Sequence, residues 1–334
     1  MTAYAFSSFL KDEMNLFIEK RSRELSPLTI RGDIRYLRRL DEFLAERDAH
    51  DVTFDLISES IASLDNLANN TKNQYIAVLR TFLTYANALR GTRYYVPDYR
   101  AETDDYEPYY FVEATKRAIY EIVDNWPARK QNTLPWISIE LPVIVRIMDG
   151  CGTRVTEILT LRVRDVELDS GVLVIKNAKN SKQRRVPMSK SLSEILADYC
   201  RATGVAGHPD AYLFPRQSMD ECLLEGDVGH RFRRILEGLR IRMRSNPTRF
   251  ERGPCLYNLR HTFMINSFKR LTSQGVTLDD TICYLSVYAG HNSLQETQKY
   301  LKFCAELFPE ELDRFFSVAD ELAPGEDKWE RWGL

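Results

Sequence analysis

No run of apolar residues in this chain reaches the roughly 20 needed to cross a bilayer. The opening stretch MTAYAFSSFLKDEMNLF meets Lys11, Asp12 and Glu13 too early for a secretory leader. The cysteines, Cys151, Cys200, Cys222, Cys255, Cys283 and Cys304, are scattered, with no CxxC pair and no Cys/His spacing of a zinc site. Internal repeats and low-complexity segments are also missing. Membrane-spanning, disulfide-scaffold, zinc-fold and solenoid classes fall away. The expectation is a cytoplasmic globular protein with reduced, mostly buried thiols, needing no metal and no cofactor.

A large excess of either charge is absent too: 46 Lys and Arg face 48 Asp and Glu, a net of −2 over 334 residues. That balance by itself points to no polyanionic partner. The distribution does. From Gly229 to Arg270 there are eleven Lys or Arg against only Glu237 and Glu251, whereas from Ala305 to Leu334 nine acids face three bases. Many basic runs are only solvated faces, but a density as high as HRFRRILEGLRIRMR strengthens the case for a phosphate-binding surface. With 44% hydrophobic residues the chain can bury a sizeable core, as one large domain or two ordinary ones.

The first hundred residues read as helices. SPLTIRGDIRYLRRLDEFLAER sets Ile30, Ile34, Leu37, Leu40, Phe43 and Leu44 at helical spacing behind a capping Ser26, and NNTKNQYIAVLRTFLTYANAL does the same with Tyr75, Val78, Leu79, Phe82 and Leu83. The opposite faces carry Arg31, Arg35, Arg38, Lys72 and Arg80. TRYYVPDYRAETDDYEPYY is acidic, aromatic and broken by Pro97 and Pro108; it reads as a linker whose aromatic pairs dock somewhere. Further helices follow, interrupted by one β signal, VLVIKNAKNSKQRRVPMS, a hairpin around a turn rich in Asn and Lys. An amphipathic stretch after Pro309 ends the pattern.

Four islands hold candidate chemistry: GTRVTEILTL, IKNAKNSKQRRVPMS, LYNLRHTF and GHNSLQETQKY. Each alone is weak, since a single arginine, lysine or tyrosine is more often surface or core. Together and in this order they resemble the tyrosine recombinase (phage integrase) family, weakly over the first hundred residues and strongly from about Pro142 to Leu301. GTRVTEILTL is similar to the first arginine box, with the catalytic arginine at Arg154 and a supporting acid at Glu157. KNSKQRRVPMS resembles the hairpin lysine box, with Lys179 as the catalytic lysine. YNLRHTF resembles the second arginine box, with Arg260, and AGHNSLQETQKYL the last, with His291 and the nucleophile Tyr300. One position departs: the family usually has histidine where this chain has Tyr257, which can donate a hydrogen bond but carries no imidazolium charge. His261, one place beyond Arg260, falls outside the pattern and reads as structural.

The resemblance implies a site-specific DNA recombinase. It would cleave and rejoin strands through a 3′-phosphotyrosine, without metal or ATP, in integration, transposition or dimer resolution. Arginine forks match phosphate oxygens in pairs, and fixed donors stabilise the charge that develops in the transition state. A free tyrosine is roughly 0.1% ionised at pH 7, so Tyr300 needs the arginines or a neighbour such as His291 to take its proton. Lys179 would protonate the leaving 5′-oxygen. Gly290 would allow a tight turn, and Ser293 with Glu296 would form a capping box for a helix holding Tyr300 two turns along.

The fold expected is mostly α with a small antiparallel sheet, a two-domain C-shaped DNA clamp: a helical core-binding domain at 1–95, a linker at 96–107 and a catalytic domain at 108–334. With the expected core-binding region beginning almost at Met1, no additional arm-binding domain is expected. DNA contacts are expected from Arg31, Arg35, Lys72, Lys182, Arg184, Arg185, Arg231 and Arg233. The partners expected are a double-stranded recombination site, further copies forming a tetramer on DNA, and accessory DNA-bending or directionality proteins. The tail, with Phe308, Leu312, Phe315 and Phe316, would pack on a neighbouring subunit or on its own domain. Two other readings stand: a DNA-binding architectural or regulatory protein that has lost catalysis, suggested by Tyr257 alone, and a type IB topoisomerase, disfavoured by the helical N-terminal region.

Overall fold

The structure is a computed structural model that describes residues 5–98, 100, 108–127, 134–176, 183–241, 253–291, 293–298 and 300. Lys179, Lys182, Cys304, the tail, residues 242–252 of the basic stretch and most of the linker lie outside the described residues. The chain divides into two compact units, Met1–Tyr106 and Glu107–Leu334.

The first unit is built from α1 (Lys11–Ser22), α2 (Pro27–Glu46), α3 (Phe54–Ala62) and α4 (Asn69–Arg90). Ser26 starts α2 by accepting the Thr29 N–H at 3.2 Å, with Pro27 in the first helical position, where its missing N–H costs nothing. The expected stripes are core: Leu37, Leu40, Leu44, Tyr75, Leu79, Phe82 and Leu83 are buried together with Leu10, Met14 and Ile18 of the α1 region. Asp41, buried on α2, accepts the backbone N–H groups of Ser7 and Ser8, each at 2.8 Å, and so fixes the chain entering α1.

The linker sequence is anchored where it is described. Tyr94, Tyr95 and Val96 pack on the first core, with Tyr95 edge-on to Phe54 at 5.1 Å. Phe111 is buried in the second unit and its N–H donates to Thr262 Oγ1 at 3.0 Å.

The second unit contains α5 (Glu113–Asp124), α6 (Ile137–Cys151), α7 (Val155–Leu159), the strands β1 (Val166–Glu167), β2 (Val172–Lys176) and β3 (Gln183–Pro187), then α8 (Lys190–Thr203), α9 (Glu225–Gly238), α10 (Tyr257–Ser273), α11 (Leu278–Ala289) and α12 (Leu294–Gln298). Helix α6 is apolar on nearly every side, as a central helix must be, and packs against α5, α8 and α10. The sheet has order β1-β2-β3, antiparallel throughout, with Ile175 opposite Arg184 and Leu173 opposite Val186. The hairpin expected from sequence is β2–β3; the two-residue β1 was not foreseen because it is too short to show alternation.

The cysteines described are all free, but the expectation of mostly buried thiols holds only in part. Cys151 and Cys200 are buried, whereas Cys255 and Cys283 are exposed on the outer sides of their segments.

Candidate active site

Two helix ends frame the site. Helix α6 stops at Gly152 (φ +58) and α11 stops at Gly290 (φ +62), both left-handed, where a Cβ would be strained. A Cβ on Gly152 would also lie 2.2 Å from the Phe263 ring, and one on Gly290 would lie 2.9 Å from Arg184 Nη1. The last carbonyls of a helix have no partner within it and carry partial negative charge. Here arginines occupy them. Arg260 is fully buried and donates from Nη1 to Gly152 O at 2.8 Å and from Nη2 to Ala289 O at 2.9 Å. Arg154 donates from Nη2 to Gly290 O at 3.2 Å and from Nη1 to Ala289 O at 3.4 Å.

Arg154 precedes α7, and Glu157 of α7 accepts both its backbone N–H at 2.8 Å and its Nη1 at 2.9 Å. Glu157 also takes both terminal nitrogens of Arg184. Burial alone would raise the Glu157 carboxyl, but the hydrogen bonds and charge of Arg184, joined by Arg154, hold it down at about 2. It is therefore an anion that orients two guanidinium groups. Arg260 has no carboxylate partner among the described residues, and its Nε–H has no acceptor there. A buried guanidinium in this state favours an arriving anion.

His291 follows Gly290. Arginine only donates, so His291 Nε2 accepts from Arg260 Nη2 at 3.1 Å and its Nδ1–H donates to Thr297 Oγ1 at 2.7 Å. Burial, then the charges of Arg260, Arg154 and Arg184, push His291 down to about 4, so it is neutral near pH 7. Tyr300 is 5% exposed and burial pushes it up to about 12, against the pull of Arg260. Its ring lies parallel to His291 with centroids 6.5 Å apart. The hydroxyl meets His261 instead, 2.8 Å from Nδ1. Tyr257 opens α10, is 36% exposed and sits edge-on to His261 at 4.9 Å.

The structure thus brings Arg154, Glu157, Tyr257, Arg260, His291 and Tyr300 together in one unit. Two expectations change. His261, expected to be structural, lies against the Tyr300 hydroxyl; the contact joins residues 39 apart, which no local pattern reveals. Tyr300 lies in a turn rather than within a helix, its N–H closing onto Thr297 O at 3.0 Å. The S-x-x-E pattern is realised differently: the Glu296 N–H reaches Ser293 O at 3.3 Å, while its carboxylate faces Arg154 Nη2 at 4.0 Å.

Residues 121–305 match the sequence model of the phage integrase family. This chain belongs to the phage integrase family. Among relatives of this integrase-family chain, tyrosine recombinase XerA of Thermococcus kodakarensis is 27% identical over 292 residues, 84% of this chain and 86% of that one. Protein y4rB of Sinorhizobium fredii is 31% identical over 171 residues, 50% of this chain, so that the chain spans about half (53%) of that relative. XerH recombinase bound to its difH substrate has a TM-score of 0.65 at 16% identity, covering 87% of this chain and 82% of that one. The Tn1549 transposon integrase in complex with a circular intermediate DNA has a TM-score of 0.64 at 17% identity, covering 88% and 95%. These structures share the fold, mostly helical with a small antiparallel sheet.

The basic residues of this integrase-family chain are placed unevenly. Arg31 and Arg35 are exposed along a cleft of about 1170 Å³ in the first unit, which Arg38, Arg39, Tyr36 and Gln74 also line. Lys72 is largely covered and ion-paired to Asp65 at 2.7 Å. Arg233 is exposed on α9, and half-buried Arg231 donates to the Asp227 carbonyl at 2.6 Å. Arg184, expected as a phosphate contact, is turned inward, its side chain 14% exposed on Glu157. Arg185, the next residue, is 60% exposed and ion-paired with Glu167 of β1. Successive residues of a strand face opposite sides, so the pair RR divides into one site residue and one surface residue.

Proposed function

We propose that this chain cleaves and rejoins duplex DNA at a specific site, with Tyr300 as the nucleophile and a covalent 3′-phosphotyrosine as the intermediate. The observation that carries this reading is Arg260: a fully buried guanidinium without a carboxylate partner among the described residues, beside Arg154 and a buried tyrosine hydroxyl. A phosphodiester supplies the missing anion. Arg260 and Arg154, already oriented by helix-end carbonyls and Glu157, then donate to its non-bridging oxygens. Fixed donors aimed at developing charge are worth about 3–4 kcal/mol each in comparable sites. Tyr257, at the outer edge, supplies a hydroxyl donor where a histidine is usual. Lys179 protonates the departing 5′-oxygen. The phosphotyrosine conserves the bond, so a 5′-hydroxyl from another strand reverses the step without ATP.

Both the helical first unit and the catalytic unit would contact the duplex, and four copies would hold two sites. Whether the biological role is integration, transposition or dimer resolution follows from the DNA site used.

The test is a nicked suicide duplex drawn from DNA flanking the gene, on which cleavage traps a covalent protein–DNA band. The band is expected with wild type and lost with Tyr300→Phe. A band that persists in Tyr300→Phe overturns the assignment of the nucleophile, and tight binding without any band supports a non-catalytic DNA binder.

A further inference from the structure

One titratable group of the site has no part in the chemistry above. His261 lies beside Arg260 on α10, with Nδ1 2.8 Å from the Tyr300 hydroxyl oxygen. Its ring is flanked by Tyr257 at 4.9 Å and Tyr300 at 5.6 Å. The direction of this hydrogen bond follows from the groups. Burial, then the charge of Arg260, push His261 down to about 4, so near pH 7 the imidazole is neutral. Tyr300, pushed up to about 12, keeps its proton. A phenol is the better donor and an imidazole nitrogen the better acceptor, which favours O–H···Nδ1. His291, by contrast, has both ring nitrogens engaged, with Arg260 and with Thr297.

We propose that His261 is the base that accepts the Tyr300 proton as the hydroxyl attacks the phosphodiester, an inference that rests on the phosphotyrosine reading of the site. The Tyr300 oxygen forms its bond to phosphorus while the bond from phosphorus to the 5′-oxygen breaks. The Tyr300 proton passes to His261 Nδ1. The 5′-oxygen takes a proton from the general acid, Lys179, and leaves as a 5′-hydroxyl. Rejoining runs the same transfers backwards: the incoming 5′-hydroxyl returns a proton to the neutral amine, and the imidazolium returns its proton to Tyr300. No other reactant is consumed.

A weakly basic imidazole does not ionise a resting tyrosine. It has no need to, because the hydroxyl becomes steeply more acidic as its oxygen bonds to phosphorus, and general-base transfer occurs within that transition state. The bound phosphodiester also offsets the charge of Arg260, the neighbour that depresses His261. The base therefore gains strength when substrate is in place. The titratable and charged groups that meet it are Tyr257 and Arg260 on its own helix and Tyr300 from the facing segment, with His291 and Arg154 beyond them against Arg260 and Tyr300.

The experiment measures single-turnover cleavage by the full chain on the suicide duplex and on a version with a bridging 5′-phosphorothiolate, whose sulfur leaves without needing a proton. His261→Asn keeps an acceptor near the place of Nδ1 but is no base. It is expected to bind DNA as wild type does, to cleave about 10²- to 10⁴-fold more slowly on both substrates, and to speed up with rising hydroxide. Replacing Tyr300 with a more acidic fluorotyrosine is expected to recover much of that loss. Cleavage within about threefold of wild type, or a defect that the phosphorothiolate cures, overturns the proposal. If His261→Asn shows no cooperative melting, His261→Gln takes its place. Absence of any adduct with wild-type protein on DNA that it binds sinks the phosphotyrosine reading and this inference together. An adduct lost in Tyr300→Phe but formed at full rate by His261→Asn sinks the inference alone.

Discussion

Arg184 holds Glu157 with both ends of its guanidinium, Nη1 to Oε1 at 2.9 Å and Nη2 to Oε2 at 2.7 Å. Glu157 also holds Arg154, so one carboxylate links Arg184 to the first arginine of the site. Lysine keeps the charge but loses the planar fork. Arg184→Lys is expected to lower cleavage by about 10- to 100-fold, the scale seen when a supporting partner of a site ligand is removed. The salt dependence of DNA binding should stay unchanged. A salt slope reduced by about one with cleavage intact would mark Arg184 as a phosphate contact after all.

Glu157 gives a pH dependence with a definite sign. Its folded carboxyl is held at about 2, below its ordinary value of 4.5. Its contribution is therefore present above pH 4.5 and is lost as pH falls towards 2, amounting to about 3 kcal/mol at neutral pH. Glu157→Gln should melt at a lower temperature at pH 7, and the gap to wild type should narrow below pH 4.5 and close only near pH 2. Parallel melting curves across that range would show that the carboxylate is not held as described.

Glu140 has the opposite sign. It is fully buried in α6 with neither carboxyl oxygen hydrogen-bonded among the described residues, and burial pushes it up to about 9 despite the nearby charge of Arg231. A raised carboxyl supports the fold fully below the unfolded value and loses that support as pH rises through the folded one. Glu140→Leu should therefore stabilise the protein at pH 7 by about 3 kcal/mol, and by more at pH 9. Chemical denaturation at pH 5, 7 and 9 measures this; a variant less stable than wild type at pH 9 would contradict it.

Gly290 tests the frame. Its φ of +62 and the 2.9 Å approach of Arg184 to a built Cβ make alanine doubly unfavourable. Gly290→Ala is expected to cost about 1–2 kcal/mol and to slow cleavage by displacing Arg184 and His291. Calorimetry paired with adduct formation separates the two effects, and full cleavage at reduced stability would show that the frame tolerates movement.

In the first unit, Arg35→Ala should weaken binding of the recombination site and of unrelated DNA alike, lowering the salt slope by about one. Lys72→Ala should change it less, since Lys72 is already paired with Asp65. Equal effects would place both side chains on phosphates.

Much of the site was legible because its members sit in local patterns. Arg154 with Glu157 spans one helical turn, and Gly290 before His291 marks a left-handed helix end. The helical stripes of α2 and α4 were legible for the same reason: period and capping act within a few residues. That Arg184 faces Glu157 while Arg185 lies at the surface was not legible, because adjacent strand residues diverge and only the register of β3 against β2 tells which one turns inward.

The sequence by itself determined which helices form, where two of them end in glycine, and that four motifs resembling those of the integrase family follow one another in order. Those properties depend on steric preference and hydrophobic period, which are local. Tertiary structure alone decided which groups meet: Arg260 on the carbonyls ending two different helices, Arg184 on Glu157, and His261 on the Tyr300 hydroxyl. These contacts depend on how α6, α10 and α11 pack, and that packing maximises burial of apolar surface over the whole unit rather than within any one segment.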